Sequence, residues 1–289
     1  NYTVYRFIKY RLKLRREIFM EQVENERKEE ILTTQINFFT NISHEIRTPL
    51  TLIKGPVEEL LSNEKDPQTN AKLKTIKQNS DRLLKLVNEL LDFRKAEKGY
   101  MKIYCQRQDV VSFCFEIFES YKGLAAEKNI DFKFVLDSNV IIAYFDKNQM
   151  EKVVYNLLSN AFKFTKKNGK IVFAVEKGTP DENAVFIKVK DNGIGIPENN
   201  RTSVFERFFQ VDDRGVQNMG SGVGLALSKS IVELHKGEIS TPDEEGTWAK
   251  TVFQIKLQLG NKHLSEDQII ESNGEDFQQM IIDSPTIVT

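Results

Sequence analysis

From Leu32 onward, apolar residues recur in alternating steps of four and three: Ile36, Phe39, Ile46, Leu50, Ile53, Val57 and Leu60, with Ser43 the one polar member. A second series repeats the rhythm through Leu73, Ile76, Ser80, Leu83, Val87 and Leu90. Such spacing is the seam of a heptad helix. Between the two series lies a polar stretch, residues 62–70, containing Pro67, which predicts a turn. Two seam helices joined by a short turn make an antiparallel hairpin over residues 31–98. Leu61, Leu84 and Leu91 widen the apolar stripe beyond what one facing helix covers. The surplus predicts two hairpins pairing as a dimeric four-helix bundle, a homodimer. Upstream, Leu12, Phe19 and Val23 carry an imperfect heptad into the charged run 24–30. Residues 1–30 thus read as a signalling coiled coil, with a merely exposed helix as the alternative.

After residue 100 the rhythm changes. Residues 101–107, 131–136, 170–176, 185–191 and 251–259 read as strands, and residues 111–128, 148–163 and 225–235 as amphipathic helices. Their mixed order lacks regular strand–helix–strand alternation. The predicted fold class is therefore α+β: the hairpin, then an α/β sandwich over residues 99–260 with helices layered on one face of a mixed sheet. Residues 261–289 have little periodicity and read as a linker or tail with at most a short helix.

Composition narrows the class. Of 289 residues, 40% are hydrophobic and 29% charged, a core-forming balance; 41 Lys+Arg against 42 Asp+Glu leave a net charge of -1, so nothing points to direct nucleic-acid binding. Cys105 and Cys114 are the only cysteines, which excludes a disulfide framework and suits a reducing cytosol. No run of 18 apolar residues spans a membrane. The first 16 residues hold Arg6, Lys9, Arg11, Lys13, Arg15 and Arg16 and no acid. That is the charge pattern found just cytoplasmic of a membrane helix; a solvated helix start or an artificial chain end is the alternative.

Four motifs carry candidate chemistry. Asp191-Asn-Gly193-Ile-Gly195 closes a predicted strand; a carboxylate held there can accept from the exocyclic amine of a base, and the glycines let backbone approach a ligand. The same residues also make an ordinary turn. Gly220-Ser-Gly222-Val-Gly224 runs into a helix, where bare N–H groups suit phosphate. Its spacing and its polar lead-in exclude the dinucleotide-binding fingerprint. Asn156, Asn160 and Lys163 share one helix face opposite Val153, Val154, Leu157, Leu158 and Ala161. Two amides and a cation suit a metal–triphosphate, or a plain polar face. Finally, His44 in Ser43-His-Glu45-Ile-Arg-Thr48-Pro49-Leu falls off the seam, where an imidazole can be a nucleophile. His235 and His263 read as structural.

Taken in order, these motifs resemble the sensor histidine kinases of two-component systems over residues 31–260. The boxes are SHEIRTPL, NLLSNAFKF, DNGIG, FERFF at Phe205–Phe209, and GSGVGL. The context NFFTNISHEIRTPLTLI also looks like the hybrid histidine kinases of gut Bacteroidetes. The resemblance implies a dimerisation and phosphotransfer hairpin followed by an ATP-binding domain of the GHKL (Bergerat) type. It implies that His44 attacks the γ-phosphate of ATP, with Glu45 taking or orienting the proton on the ring's other nitrogen. Asn160, assisted by Asn156, would hold Mg²⁺, Lys163 would meet the phosphates, and Asp191 would read the adenine amine. Gly193 and Gly195 would allow close approach. Gly220, Gly222 and Gly224 would flank a lid, residues 198–219, anchored by Phe205, Phe208 and Phe209. Thr48 would support dephosphorylation of a receiver, or else simply bond backbone ahead of Pro49. Partners implied are a second copy, a receiver-domain aspartate, and an upstream sensor with its membrane helix, which makes this chain the cytoplasmic portion of an inner-membrane protein.

Two departures qualify the resemblance. Gln210 stands where many relatives carry a lid arginine, leaving Arg207 or Arg214 as substitutes, and the last glycine box is reduced to Glu245-Gly-Thr-Trp248. The tail holds no receiver residues, so the acceptor aspartate is expected elsewhere. A GHKL ATPase motor of the gyrase or MutL type would carry a catalytic Glu where this chain has Asn156, and no histidine-bearing hairpin. A nucleotide-binding scaffold that signals without phosphotransfer is the remaining alternative.

Overall fold

The computed structural model describes residues 2–207, 209, 222–243 and 248–270, with some side chains of the first helix, that of His44 among them, outside the description. The chain divides into two compact units, Asn1–Lys98 and Gly99–Thr289.

The first unit is a helical hairpin. Helix α1 spans Tyr2–Asn63 and continues through Pro49 and Pro56. Each proline removes one N–H, so the carbonyls four residues earlier, those of Glu45 and Leu52, lose their intrahelical donor. Helix α2 spans Pro67–Glu97; Pro67 opens it, and the Asp66 side chain caps it by accepting from the Thr69 N–H at 2.8 Å. Across the hairpin, Arg47 Nη2 donates to Asn88 Oδ1 at 2.8 Å, and Lys54 pairs with Asp81 at 2.7 Å. The burial pattern explains the wide apolar stripe. Ser43, Leu50 and Val57, seven apart, are buried against α2, whose own buried positions include Leu73, Ser80 and Leu91. The alternate seam positions Ile46, Ile53, Leu60, Ile76 and Leu83 stay 40–54% exposed in the single chain. Among the described seam residues, Ser43, Leu50, Val57, Leu73 and Ser80 are thus satisfied within the hairpin, and the five exposed ones are not.

The second unit is a helix-on-sheet sandwich. Strand β1 (Gln106–Asp109) pairs antiparallel with β3 (Ile142–Phe145). A five-stranded sheet follows the order β2-β4-β5-β7-β6, from β2 (Asp131–Leu136), β4 (Lys170–Lys177), β5 (Ala184–Asp191), β7 (Thr251–Gln258) and β6 (Glu238–Ser240). Only β2 and β4 run parallel; the other neighbours are antiparallel. Helices α3 (Val110–Lys128), α4 (Lys147–Phe164) and α5 (Gly224–Leu234) complete the unit. Alternation decides which strand face is inward: Ile171, Phe173 and Val175 on β4 and Val185, Ile187 and Val189 on β5 are at most 1% exposed. Aromatic rings join the layers, with Phe118 of α3 against Phe132 at 4.6 Å and Phe162 of α4 against Phe132 at 5.1 Å between centroids.

One expected strand is shorter than the pattern suggested, and other features were not anticipated. Residues 101–104 form no strand; pairing begins with an isolated bridge at Cys105 and continues in β1. The short strands β3 and β6 escaped the periodicity, having only four and three residues. In residues 261–270, at the start of the segment read as a linker or tail with a short helix, a 3-10 turn spans Glu266–Gln268, and Leu264 is buried with Ile103 and Cys105.

Candidate functional site

Asp191 ends β5, and its carboxyl is 2% exposed. The strand register puts it opposite Thr251 on β7, whose side chain hydrogen-bonds it. Gly193 N–H donates to Asp191 Oδ1 at 2.9 Å. Burial still dominates these bonds and pushes the carboxyl from its ordinary 3.8 up to about 6. The loop is clamped around it: Lys250 N–H donates to the Asp191 carbonyl at 2.8 Å, and Lys170 N–H to Asn192 Oδ1 at 2.7 Å. A Cβ on Gly193 would sit 2.6 Å from the Phe164 carbonyl oxygen, so only glycine fits between the end of α4 and this carboxylate. Gly195 has φ +83°, in the left-handed region.

Asn156, Asn160 and Lys163 occupy the half-buried face of α4, while Met150, Val153, Val154, Leu157, Leu158, Ala161 and Phe162 fill the core. Asn156 Nδ2 donates to Ser228 Oγ at 2.9 Å, and Ser228 Oγ donates to the Gly224 carbonyl at 3.0 Å. The amide oxygen therefore turns to the start of α5; a Cβ on Gly224 would lie 2.6 Å from Asn156 Oδ1. No side chain caps that helix start, and Gly222 just before it has φ +67°. First-turn N–H groups without a side-chain acceptor are donors for an anion. From Asn156 to Phe164, α4 advances about 12 Å, so one helix carries the α5 start near its middle and the Asp191 carboxylate at its end.

Lys163 Nζ lies over the Phe164 ring, 4.9 Å from its centroid, toward the carboxylate end of α4. Phe205 is buried and packs edge-on against Phe253 of β7 at 6.2 Å. Arg201 pairs with Asp243 at 2.9 Å just before it. Arg207 is exposed. Phe208, Gln210, Arg214 and Gly220 lie outside the described residues, as does the second half of the expected lid apart from Phe209. In the first unit, His44 lies on α1, and Glu45 and Thr48 are exposed on it.

Ser228 and Thr251 were not singled out from the sequence. Ser228 stands one helical turn after Gly224, a usable signal once α5 is placed; Thr251 becomes visible only when β5 and β7 are put in register. His235 is structural, as read: it is 1% exposed, its Nδ1 meets the Ile231 carbonyl at 2.7 Å, and its Nε2 accepts from the Asp146 N–H at 3.0 Å.

Among the described residues no cluster of three or more His, Cys, Asp or Glu could hold a metal, and no helix is long and apolar enough to cross a membrane. The Asn156 and Asn160 amides nonetheless fit Mg²⁺. That ion keeps few protein ligands when phosphate oxygens and waters complete its shell.

The model of the histidine kinase-, DNA gyrase B-, and HSP90-like ATPase family matches residues 145–261, and that of the His Kinase A (phospho-acceptor) domain matches residues 34–99. Histidine kinase P4 of Formosa agariphila is 39% identical over 91% of this chain and 19% of its own length. Hybrid signal transduction histidine kinase D of Dictyostelium discoideum is 35% identical over 89% of this chain and 17% of its own length. Sensor protein kinase WalK of Staphylococcus aureus is 35% identical over 78% of this chain and 52% of its own. The chain thus spans between about a sixth and a half of these relatives. Full-length ShkA, solved in complex with AMPPNP, superposes with a TM-score of 0.64 at 25% identity, covering 76% of this chain and 45% of that one. ThkA, solved in complex with the response regulator protein TrrA, gives 0.57 at 26% identity, covering 84% and 67%. A phospho-acceptor hairpin followed by an ATPase-type sandwich, in that order and with these relatives, places the chain in the family of sensor histidine kinases.

Proposed function

We propose that this chain is an ATP-dependent protein-histidine kinase: it phosphorylates His44 and passes the phosphoryl group to an aspartate of a receiver domain in two-component signalling. The observation that carries the reading is the arrangement along α4. A buried carboxylate stands at its end, and an amide stands near its middle against an uncapped helix start. An adenine amine fits the first and a polyphosphate the second. The AMPPNP complex of ShkA and the response-regulator complex of ThkA support the same assignment.

In this mechanism Asp191 accepts from the adenine amine, and Gly193 keeps the end of α4 close enough to wall the base. Asn156, tethered by Ser228, and Asn160 present amide oxygens for Mg²⁺; when bound, the ion neutralises charge on the transferring phosphate. The α5 N–H groups and Lys163 supply further positive potential, and the phosphoryl group moves mainly by positioning and charge neutralisation. On α1, Glu45 takes or orients the proton on one ring nitrogen of His44 so that the other attacks with its lone pair. Thr48, one turn beyond His44, holds a water against an aspartyl phosphate docked there in the reverse reaction. The exposed seam residues Ile46, Ile53, Leu60, Ile76 and Leu83 are the surface a second hairpin covers in a homodimer. The basic start of α1 supports a position for this portion on the cytoplasmic side of a membrane-anchored sensor.

The test is incubation with γ-labelled ATP and Mg²⁺. The reading requires label that is lost in acid, survives base, maps to His44 and chases to a receiver aspartate. Nucleotide binding with no such label would leave only the signalling-scaffold alternative.

A further inference from the structure

The chain past the last sheet strand folds back onto the chain that enters the second unit. Cys105 N–H donates to the Gln268 carbonyl at 2.7 Å, and Ile270 N–H donates to the Cys105 carbonyl at 3.0 Å, a parallel bridge between Cys105 and Ile269. Leu264 is buried with Ile103 and Cys105, and Tyr144 of β3, Leu234 of α5 and Ile269 pack around them. A Ser265–Gln268 capping box closes the turn that presents Ile269. The entering segment is also tied to α4: Tyr104 N–H donates to Asp146 Oδ2 at 2.9 Å, and Asp146 caps α4. Upstream of Met101, which is 8% exposed, come Tyr100 at 44% and Gly99 with φ +73°.

We propose that residues 261–270 are a strap that holds residues 101–105 on the second unit and so sets the length of the hinge between the two units. With the strap in place the hinge is confined to about Gly99 and Tyr100. Without it, Ile103 and Cys105 lose Leu264 and Ile269 and keep only Tyr144 and Leu234 of the apolar cluster around them, and the hinge lengthens toward Tyr104. A longer, looser tether lowers the effective concentration of one tethered group at another. The consequence for phosphoryl transfer rests on the function proposed above; the hinge itself does not.

The experiment uses the full chain, Leu264→Asp, and a chain ending at Gly260. Spin labels go on cysteines placed at Lys85 and Lys122, both exposed, since native Cys105 and Cys114 are buried and burial pushes the Cys105 thiol up to about 12. In the parent chain the Cys105 and Ile270 amides are protected from hydrogen exchange; in both variants the Cys105 amide loses protection and the label-to-label distance distribution broadens about twofold or more. ATP affinity stays within about twofold, and His44 phosphorylation slows about fivefold or more. Unprotected amides in the parent, or an unchanged distance distribution in the variants, overturns the strap. Loss of ATP binding in both variants also overturns it, making the segment a part of the core. Absence of label on His44 in the parent would instead sink the kinase reading and leave the strap to be judged by the distances.

Discussion

Asp191→Asn separates stability from binding. The wild-type carboxyl is 2% exposed, and burial raises its pKa from 3.8 to about 6 in the folded chain. A raised carboxylate favours folding fully below its unfolded pKa, and that advantage is lost as pH rises through about 6. At pH 7.5 the ionised, buried carboxylate therefore costs the empty second unit on the order of 3 kcal/mol relative to a group that stays neutral. Asparagine is neutral and keeps an oxygen for the Gly193 N–H. The variant should melt higher than wild type at pH 7.5, and the gap should close on acidification toward pH 4. Nucleotide binding should move the other way. Asparagine replaces a charge-assisted acceptor by an amide, and losing a bond of that kind costs about 1.5–3 kcal/mol, a tenfold to roughly 150-fold weaker affinity. Because an amine donor favours the ionised carboxyl, wild-type affinity should also fall below about pH 6, by up to tenfold per unit. The variant should lack this component. Calorimetric titration with an ATP analogue across pH 5–8 and thermal melts across pH 4–8 measure both, and the wild-type-minus-variant difference cancels titration of the phosphates themselves. A variant that melts lower at pH 7.5, or whose affinity follows pH in parallel with wild type, would refute the assignment of Asp191 as the base-reading carboxylate.

Gly224→Ala places a Cβ 2.6 Å from Asn156 Oδ1, which Ser228 restrains, so ATP affinity should drop about tenfold or more, ~1.4 kcal/mol; unchanged titrations would show that the amide does not face the ligand. Thr48→Ala should leave His44 phosphorylation nearly intact and slow decay of a phosphorylated receiver by about tenfold, equivalent to ~1.4 kcal/mol of barrier; equal decay curves would reduce Thr48 to a residue preceding a helix proline. His235 is held neutral by burial, with Nε2 accepting from Asp146, so its folded pKa lies below 6.5. The second unit should therefore lose stability as pH falls below 6.5 and His235 charges in the unfolded chain. Nitrogen NMR should show a proton on Nδ1 that persists through pH 6.5; a ring titrating at 6.5 contradicts this.

Much of the architecture could be read from the residues because period and composition acted together. The seam serines, Ser43 and Ser80, marked the hairpin's own interface, since both are buried between α1 and α2. Strands with long inward alternation, such as Lys170–Lys177 and Ala184–Asp191, announced themselves. What stayed hidden depends on partners distant in sequence. Strand β3 exists through pairing with β1, and Thr251 meets Asp191 through register. Leu264 has a buried role only because the chain returns to Ile103, some 160 residues earlier. The polar face of α4 was legible, but its division was not: Asn156 is tied to α5 while Lys163 leans over Phe164 toward the carboxylate end.

The central claim is that ATP bound in the second unit phosphorylates His44 on the first. The direct measurement is label from γ-labelled ATP on wild type and on His44→Gln, paired with ATP affinity for each. The account predicts acid-labile, base-stable label on wild type, none on the variant, and the same affinity for both. Acid-labile label persisting on His44→Gln, with affinity unchanged, would contradict it.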